Sequence, residues 1–395
     1  MIRKLLGLLC VAVCYAAISN DTVFEVRTDG SDTNGGGFVT GASGTNWTLQ
    51  AAAQYAVTDA VTAGTTTITS ATANFGTDVV GNLLYIQGGT GAITAGWYEI
   101  TARTNSTAIT VDRSTGLTIG TGATLNIGGA LASLGQAGAL VINRNAVYVK
   151  NGTYTISTAS SNVAGGVFDG TTAAGSAIIG YQTTRTAGNT GTRPILQIAA
   201  ALSNCRILKG NSTTAINLEL DGNSQTNSSV ADGTSVDFYR CIFKNFTAGN
   251  ATSGRIVACS ATGNSAAQFA GGIQFGCEAY GNTATQFLTR SMFCLSYGNT
   301  GASTDGFSGN ANGVFYNCVA YGNGGDGFDL SDPRGGGVIH SYAEGNAGYG
   351  YRINNVGPQV LFIGSGGFNN TSGLYSNTNL SAVGEVIPTA TVFTA

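Results

Sequence analysis

The 395-residue chain is rich in glycine and poor in charge: it has 60 glycines, 4 prolines, 9% charged residues and a formal net charge of −3. Nucleic-acid binding needs a basic stripe, so a chain with 17 basic and 20 acidic residues is not expected to bind DNA or RNA. The length is sufficient for one large repeat domain plus an insertion. This composition favours an extracellular β-rich protein.

Residues 1–19 have the pattern of a secretory signal peptide. Arg3 and Lys4 form a basic start, Leu5–Ile18 is an apolar run, and Ala17-Ile-Ser is a small-x-small cleavage site. The apolar run is short for a transmembrane span. We therefore expect a secreted, cell-surface or virion-surface protein, whereas a retained leader would favour an anchor or a buried assembly arm.

Residues 20–60 are predicted to form the N-terminal cap of a solenoid. Val23–Arg27 has the composition of a strand. Asn46 can cap a following helix, which would cover the open apolar end that a repeat protein has to protect. The apolar positions of this helix are Leu49, Ala52, Ala53 and Ala56.

Residues 61–129 interrupt the solenoid and are predicted to form a small inserted β module. Four strand-like runs are separated by turn residues. The runs are Thr65–Thr69, Leu83–Gln87, Trp97–Thr101 and Ala108–Asp112. Trp97 and Tyr98 could bind a sugar ring, or they could belong to the core of the module, where such aromatic residues more often lie.

Residues 130–375 are predicted to be the solenoid, with a C-terminal cap or tail at 376–395. Seven segments from Val236 to Ser381 repeat one frame, the first three 18 residues long and the last four 23. They hold short alternating runs and Gly-Asn corners, such as Cys277-Glu-Ala-Tyr-Gly-Asn, without helical spacing. Units this short must stack on neighbours, so the predicted fold class is all-β, a right-handed parallel β-helix.

Stacked coils place equivalent residues in columns about 4.8 Å apart. Alternation predicts that a column two residues before the cysteines, and a column of small residues two after them, point inward. The earlier column is Tyr239, Val257, Phe275, Met292 and Tyr316, and the later one is Ala261, Ala279, Ser296, Ala320 and Ala343. An Asn column from Asn264 to Asn369 is predicted at a left-handed corner, with its amides paired between coils.

Six cysteines lie outside the leader, and five share one column. The five are Cys241, Cys259, Cys277, Cys294 and Cys318. We predict buried thiols that fill an interior row, with disulfides or a metal ladder as the alternative. Because the chain has one His and no C-x-x-C pair, a zinc site is not expected.

Three consecutive coils carry the candidate site. Aligning their Gly-aromatic pairs gives one column of Asp305, Asp326 and Tyr349 and a second of Ser308, Asp329 and Arg352. Three carboxylates within two coils can hold a hard cation such as calcium. The alternative is structural: Asp329 and Arg352 would form a cross-coil ion pair, and the other two aspartates would be turn residues before Gly.

The repeat, the Asp-Gly-Phe pair and the Gly-aromatic-basic triplet ending at Arg352 resemble the calcium-dependent pectate lyases of polysaccharide lyase family 9. In that family four aspartates bind calcium and a lysine abstracts the proton. The resemblance implies that Asp305, Asp326 and Asp329 bind calcium and that Arg352 is the base. Two positions depart from the family pattern, since Gly325 stands where the fourth aspartate is expected and Arg replaces Lys.

The outward tyrosines Tyr280, Tyr297 and Tyr321 form a second candidate site. Sugar rings can stack on such a platform, but the tyrosines could equally stack only on one another. His340 follows the acidic coils in sequence and is a further candidate for substrate binding.

Two classes of function follow. The first is a non-catalytic extracellular β-helix protein, such as an adhesin, fibre or virion component, that contacts a polysaccharide or cell-surface glycan. The second is a calcium-dependent uronate lyase acting by β-elimination. The incomplete acidic site and the low charge favour the first. Exposed strand edges at the solenoid ends predict homo-oligomers through end-to-end or lateral contacts.

Overall fold

The computed structural model describes residue 19 and residues 21–39, 51–116, 119–141, 144–157, 176–183, 185, 192–249, 254–309, 313–330, 336–353 and 360–377. The predicted leader, apart from Ser19, and the tail beyond residue 377 lie outside the described residues. No helix within these ranges is long and apolar enough to cross a membrane.

Three sheets run along the solenoid, and each coil contributes one strand to each sheet it reaches. Sheet 1 has 12 strands: Thr22–Val26, Gly37–Val39, Ala146–Lys150, Ala177–Tyr181, Arg206–Ile216, Ser229–Tyr239, Arg255–Val257, Ile273–Phe275, Arg290–Met292, Val314–Tyr316, Gly336–Ile339 and Val360–Ile363. Sheet 2 has 10 strands: Thr153–Ile156, Ile195–Ile198, Glu219–Asp221, Ile242–Lys244, Ser260–Thr262, Glu278–Tyr280, Leu295–Tyr297, Val319–Tyr321, Tyr342–Glu344 and Gly366–Phe368. Sheet 3 has 4 strands: Phe307–Ser308, Phe328–Asp329, Tyr351–Ile353 and Tyr375–Asn377.

Strands of successive coils pair in parallel, as in Leu295–Tyr297 beside Val319–Tyr321. The exception among these sheets is Gly37–Val39, which pairs antiparallel with Thr22–Val26. One continuous apolar core fills the space between the sheets. The predicted all-β parallel β-helix is therefore confirmed.

The inserted module is a closed six-stranded barrel with its own apolar core. Its strands are Tyr55–Ala63, Thr67–Thr69, Leu83–Gln87, Gly96–Asn105, Ala108–Val111 and Ile119–Ile127. The predicted helix through Ala56 is wrong, because Tyr55–Ala63 pairs antiparallel with Ile119–Ile127 and this pairing overrides the helix propensity of the alanines. The earlier part of that helix, including Leu49, lies outside the described residues.

A short α-helix that the sequence reading missed, Leu134–Leu140, packs on the first coil instead. The Ser133 side chain caps it by accepting a hydrogen bond from the Gln136 N–H at 3.1 Å, while Leu134 and Ala137 enter the solenoid core. A single 3₁₀ turn, Thr77–Val79, lies in the barrel segment. Part of the apolar start of the solenoid is thus covered by a helix that follows the barrel.

In the coils from Asn217 onward, the chain turns from sheet 1 to sheet 2 through one residue with a left-handed backbone. This corner is occupied by Asn217, Arg240, Ala258, Gly276, Phe293, Asn317, His340 and Gly364, with φ between 49° and 60°. The corner interrupts the alternation of inward and outward side chains. The predicted inward column from Tyr239 to Tyr316 is therefore wrong, and Phe275, one of its members, is 47% exposed. The inward column lies one residue earlier, at Phe238, Ile256, Gln274, Ser291 and Phe315.

The predicted cysteine column is confirmed as an interior row of free, buried thiols. Its thiols also serve the backbone: Cys294 Sγ accepts the N–H of Cys277 at 3.4 Å and donates to the Met292 carbonyl at 3.2 Å. Ser341 and Ser365 continue the column in the same way, since each accepts the N–H of the preceding coil at 3.1 Å. Burial raises the pKa of Cys294 to about 12, so its thiol is unreactive.

The asparagine column is a buried amide ladder. Each Nδ2 donates to the Oδ1 of the next coil at 2.8–3.0 Å along Asn264, Asn282, Asn299, Asn323, Asn346 and Asn370. The left-handed residue is the glycine before each of the ladder residues Asn264 to Asn346, with φ 62° at Gly281, so the prediction of a left-handed Asn is wrong for these five coils. The prediction holds at Asn369, which has φ 55° and precedes Asn370. In the last coil Gly364 takes the corner, and this shifts the ladder position from Asn369 to Asn370.

Replacing Cys294 tests the role of its sulfur as a backbone acceptor. Cys294→Ser should melt close to the wild type, because a hydroxyl can accept the same N–H. Cys294→Val should lower the melting temperature by several degrees, because the buried Cys277 N–H then costs about 1–3 kcal/mol. Thermal denaturation followed by circular dichroism measures both variants. A Val variant at least as stable as the Ser variant would contradict this role.

Candidate functional site

The acidic residues of the three coils meet in an open depression at the turn from sheet 2 to sheet 3. Its volume is about 340 Å³. Small residues form much of its lining, and its charged groups are three carboxyl groups and one guanidinium. The lining consists of Ala302, Ser303, Asp305, Gly324, Gly325, Asp326, Asp329, Ala347, Gly348 and Arg352. We call this site the acidic depression.

The register predicted for these coils is confirmed. Phe307, Phe328 and Tyr351 lie opposite one another in sheet 3, so Ser308, Asp329 and Arg352 also form one column. The aromatic rings stack inside the solenoid, with centroids 4.8 Å and 5.2 Å apart. This interior stack fixes the turn before it, and the turn carries Asp305 and Asp326.

Two of the aspartates hold the backbone of the next coil. Asp305 Oδ1 accepts the N–H of Asp326 at 2.8 Å, and Asp326 Oδ1 accepts the N–H of Tyr349 at 2.6 Å. In the coil before, Thr285 Oγ1 accepts the N–H of Asp305 at 2.8 Å. A threonine therefore does the same work one coil earlier, which indicates that this column serves the fold.

Arg352 is paired with Asp326: its Nη1 lies 3.4 Å from Asp326 Oδ2. The arginine side chain is 44% exposed and the aspartate only 8%, so the guanidinium borders the depression while the carboxylate lies within its wall. A guanidinium carries five N–H donors, and the exposed part of the Arg352 side chain is accessible to a ligand.

Within the acidic depression, Asp305 has a strongly raised pKa. Burial, together with the neighbouring Asp329 and Asp326 carboxyl groups, raises its pKa to about 7, although the Asp326 N–H and Arg352 act in the opposite direction. Near neutral pH this carboxyl group therefore carries a proton part of the time. The depression can offer both a hydroxyl donor and carboxylate acceptors to a ligand.

The arrangement does not fit the predicted calcium site. No group of three or more His, Cys, Asp or Glu side chains that could hold a metal ion occurs in the described part of the chain. Oδ1 of Asp305 and Oδ1 of Asp326 are already used by backbone N–H groups, and Asp326 also pairs with Arg352. Calcium wants six to eight oxygen ligands, so these carboxylates would have to leave their present partners.

The tyrosine column lies on the outer face of sheet 2. Tyr280, Tyr297 and Tyr321 are in register in adjacent strands. The first two rings stack with centroids 5.4 Å apart and planes 16° from parallel. A hydrogen bond to Glu278, helped by burial, raises the pKa of Tyr297 to about 12. Tyr321 is 53% exposed and is the last residue of its strand, three residues before Gly324 of the acidic depression.

His340 is not part of this site, contrary to the sequence prediction. It occupies a left-handed corner between sheets 1 and 2, where its ring lies 6.0 Å from that of Tyr316, and it does not line the depression. Of the two alternatives for Tyr98, the favoured one is confirmed, since Tyr98 is buried in the barrel core. Trp97 packs on Tyr85 at 4.2 Å, and its indole N–H donates to the Asn34 carbonyl.

The sequence analysis did not identify the small residues that line the depression. It also did not identify Glu278 as the hydrogen-bond partner of Tyr297. Ala302, Gly324 and Ala347 each follow the ladder asparagine of their coil within a few residues, so a search for repeated small residues would have found them. Glu278 stands two residues before Tyr280, and strand alternation alone predicts that both face outward.

Comparison with known proteins found no matching family model and no matching curated protein. Three solved structures are similar in fold. The ORF18 protein of Geobacillus virus E2 is 11% identical with a TM-score of 0.43, and the match spans 60% of this chain and 53%, about half, of the viral protein. The A-module of the Azotobacter vinelandii mannuronan C-5 epimerase AlgE4 is 16% identical, with a TM-score of 0.35 and coverage of 58% and 72%.

The third similar structure is the catalytic domain of a GH87 α-1,3-glucanase in complex with tetrasaccharides. It is 10% identical with a TM-score of 0.31, and the match covers 84% of this chain and 88% of that domain. Identities of 10–16% and TM-scores below 0.5 make all three resemblances of fold alone.

The raised pKa of Asp305 predicts a pH effect on stability. The folded state holds this proton up to about pH 7, whereas an unfolded Asp loses it near pH 4. The folded state therefore binds more protons in this window, and stability should fall as the pH rises through it. Asp305→Asn keeps an oxygen for the Asp326 N–H but has no charge, so its melting temperature should exceed that of the wild type at pH 8.

Melting temperatures measured from pH 4 to pH 8 check this effect. The difference between the variant and the wild type should shrink as the pH is lowered, because the Asp305 carboxyl group is then protonated. A difference that stays constant across the series would contradict the raised pKa.

Proposed function

We propose that this protein is a non-catalytic extracellular β-helix that binds a glycan through the acidic depression and the adjoining tyrosine column. The observation that carries the proposal is the use of both Asp305 and Asp326 as backbone acceptors. These carboxylates maintain the coil rather than stand ready for a cation or a proton transfer. The rod-like stack of coils suits an adhesin, a fibre or a virion component.

The chemistry of the site matches sugar hydroxyls. Carboxyl oxygens accept from hydroxyl groups, and the exposed part of Arg352 donates to them. Tyr321, at the end of its strand in sheet 2, has a half-exposed ring on which the apolar face of a pyranose can stack. Open clefts that combine an aromatic surface with a few convergent polar groups are typical binding sites.

The charge of the site favours a neutral glycan over a uronate polymer. Three carboxyl groups and one guanidinium line the depression. A uronate carboxylate would meet this acidic excess, and like charges placed together reduce affinity. Neutral hydroxyl-rich chains carry no such cost, so neutral polysaccharides are the proposed ligand class.

Binding to soluble neutral polysaccharides, measured by affinity electrophoresis and calorimetry, tests the proposal. Tyr321→Ala and Arg352→Gln should each weaken binding several-fold or more, because one removes a stacking ring and the other a charged donor. Phe275→Ala is the matched control, since it removes an equally exposed ring from sheet 1. Absence of binding to any glycan, or full binding by both site variants, would refute the proposal.

The second candidate is the uronate lyase, and one observation favours it: Arg352 lines the same depression as all three aspartates. The assay is growth of near-ultraviolet absorbance on polygalacturonate and other uronate polymers, with calcium and then with chelator. We expect no turnover and no rise in melting temperature with calcium. Calcium-dependent turnover that disappears in Arg352→Ala would replace the binding proposal with the lyase, since loss of a general base typically costs 10²–10⁴-fold.

A further inference from the structure

The outer face of sheet 1 is apolar and exposed over its last coils. Six large apolar side chains there are between 38% and 51% exposed. They are Ile273, Phe275, Phe293, Val314, Leu361 and Ile363. They belong to strands that are neighbours in the sheet, or to the corner beside it, so they form one patch that we call the sheet 1 apolar face.

A line of tilted rings runs along the edge of this face. Phe275 and Phe293 have centroids 5.4 Å apart and planes at 59°, and Phe293 meets Tyr316 at 5.7 Å and 75°. Rings tilted in this way do not present a flat platform to a sugar chain, unlike the near-parallel Tyr280 and Tyr297. Interlocked aromatic and aliphatic side chains are instead typical of the centre of a protein–protein interface.

Phe293 combines a left-handed backbone with an exposed aromatic ring. Its φ of 54° places a bulky residue in the left-handed region, where the equivalent corners of adjacent coils have Gly276 and Asn317. This backbone is unfavourable for Phe, and its ring is 51% exposed, so the position stabilises the isolated chain poorly. Because other coils have left-handed Arg240, Ala258 and His340 at this corner, the informative feature of Phe293 is its exposed apolar ring, and exposed apolar surface of this kind is typical of contact with a partner.

The area and the charge of the face fit a second copy of this chain. At roughly 200 Å² for a fully exposed large side chain, the six residues expose about 500 Å², and partly exposed Met292, Tyr316 and Ile339 add to this. A standard interface uses about 800 Å² per partner. Arg290 is the single charged residue among the described residues of the face. The net charge of −3 for the chain also means that two copies repel each other only weakly.

We propose that the sheet 1 apolar face is the contact surface between copies of this chain in a lateral homo-oligomer. Two identical apolar faces brought together remove each other's exposed rings from water, as in an isologous contact. The surface is on a different sheet from the acidic depression, so oligomer formation leaves the proposed glycan site open to solvent. The contact is therefore independent of the proposed function.

Sedimentation velocity of the full chain over a range of concentrations, with a double variant Phe275→Ser and Phe293→Asn, tests the surface. The wild type should shift from monomer to oligomer as concentration rises. The double variant should need concentrations at least tenfold higher to form the oligomer, because truncation of central interface side chains typically weakens binding by that factor or more. Asn already occupies the same corner at Asn317, so the variant is designed to fold.

Two further measurements keep the outcome unambiguous. The monomeric double variant should have a circular dichroism spectrum like that of the wild type. The Phe293→Asn single variant should melt no lower than the wild type when both are measured at dilute concentrations where they are monomeric. Tyr321→Asn removes an equally exposed ring from sheet 2 and should associate like the wild type. A wild type that stays monomeric at all concentrations, or equal loss of association in Tyr321→Asn, would overturn the proposal.

Discussion

Hydrogen bonding at the corners between sheets holds this solenoid in register. A left-handed residue at each corner takes the following N–H out of the strand ladder, and a buried N–H without an acceptor costs about 1–3 kcal/mol. Interior side chains supply the acceptors: cysteine sulfur or serine oxygen at the first corner, and asparagine Oδ1 at the second. Asp305 and Asp326 also accept backbone N–H groups at the third turn. Because each acceptor and its donor belong to neighbouring coils, every coil fixes the position of its neighbour.

Once the interior columns fix the register, the outward residues are free to differ between sheets. Sheet 2 presents near-parallel tyrosine rings beside a polar depression. Sheet 1 presents tilted rings and aliphatic side chains with little charge. Near-parallel aromatic rings beside groups that can hydrogen-bond to hydroxyls suit a sugar ligand, whereas a surface of interlocked apolar side chains suits a protein–protein contact. A single rod thus offers two chemically distinct faces, and its coils need not change to support them.

The aspartates of the acidic depression have a structural role in the stacking of the coils. The Asp-Gly-aromatic pattern recurs because the aromatic ring stacks inside, Gly permits the close approach of the next coil, and Asp accepts a backbone N–H. Thr285 fills the same position one coil earlier, although it offers no charge. The pattern is therefore explained by coil stacking, and Arg352 is explained by its ion pair with Asp326.

The sequence by itself determined the repeat, the parallel β-helix, the buried cysteine row and the register of the acidic coils, because each follows from residues recurring at fixed spacing. It also indicated most strands of the inserted module. Only the tertiary structure decided which residue of each corner is left-handed. This backbone conformation turns the column from Tyr239 to Tyr316 outward instead of inward, and it places His340 at a corner away from the acidic depression. Backbone handedness at a single residue leaves almost no trace in composition, since Arg, Ala, Gly, Phe, Asn and His all occupy that corner. The backbone N–H groups that donate to the Asp305 and Asp326 carboxylates likewise became visible only when neighbouring coils were brought into contact.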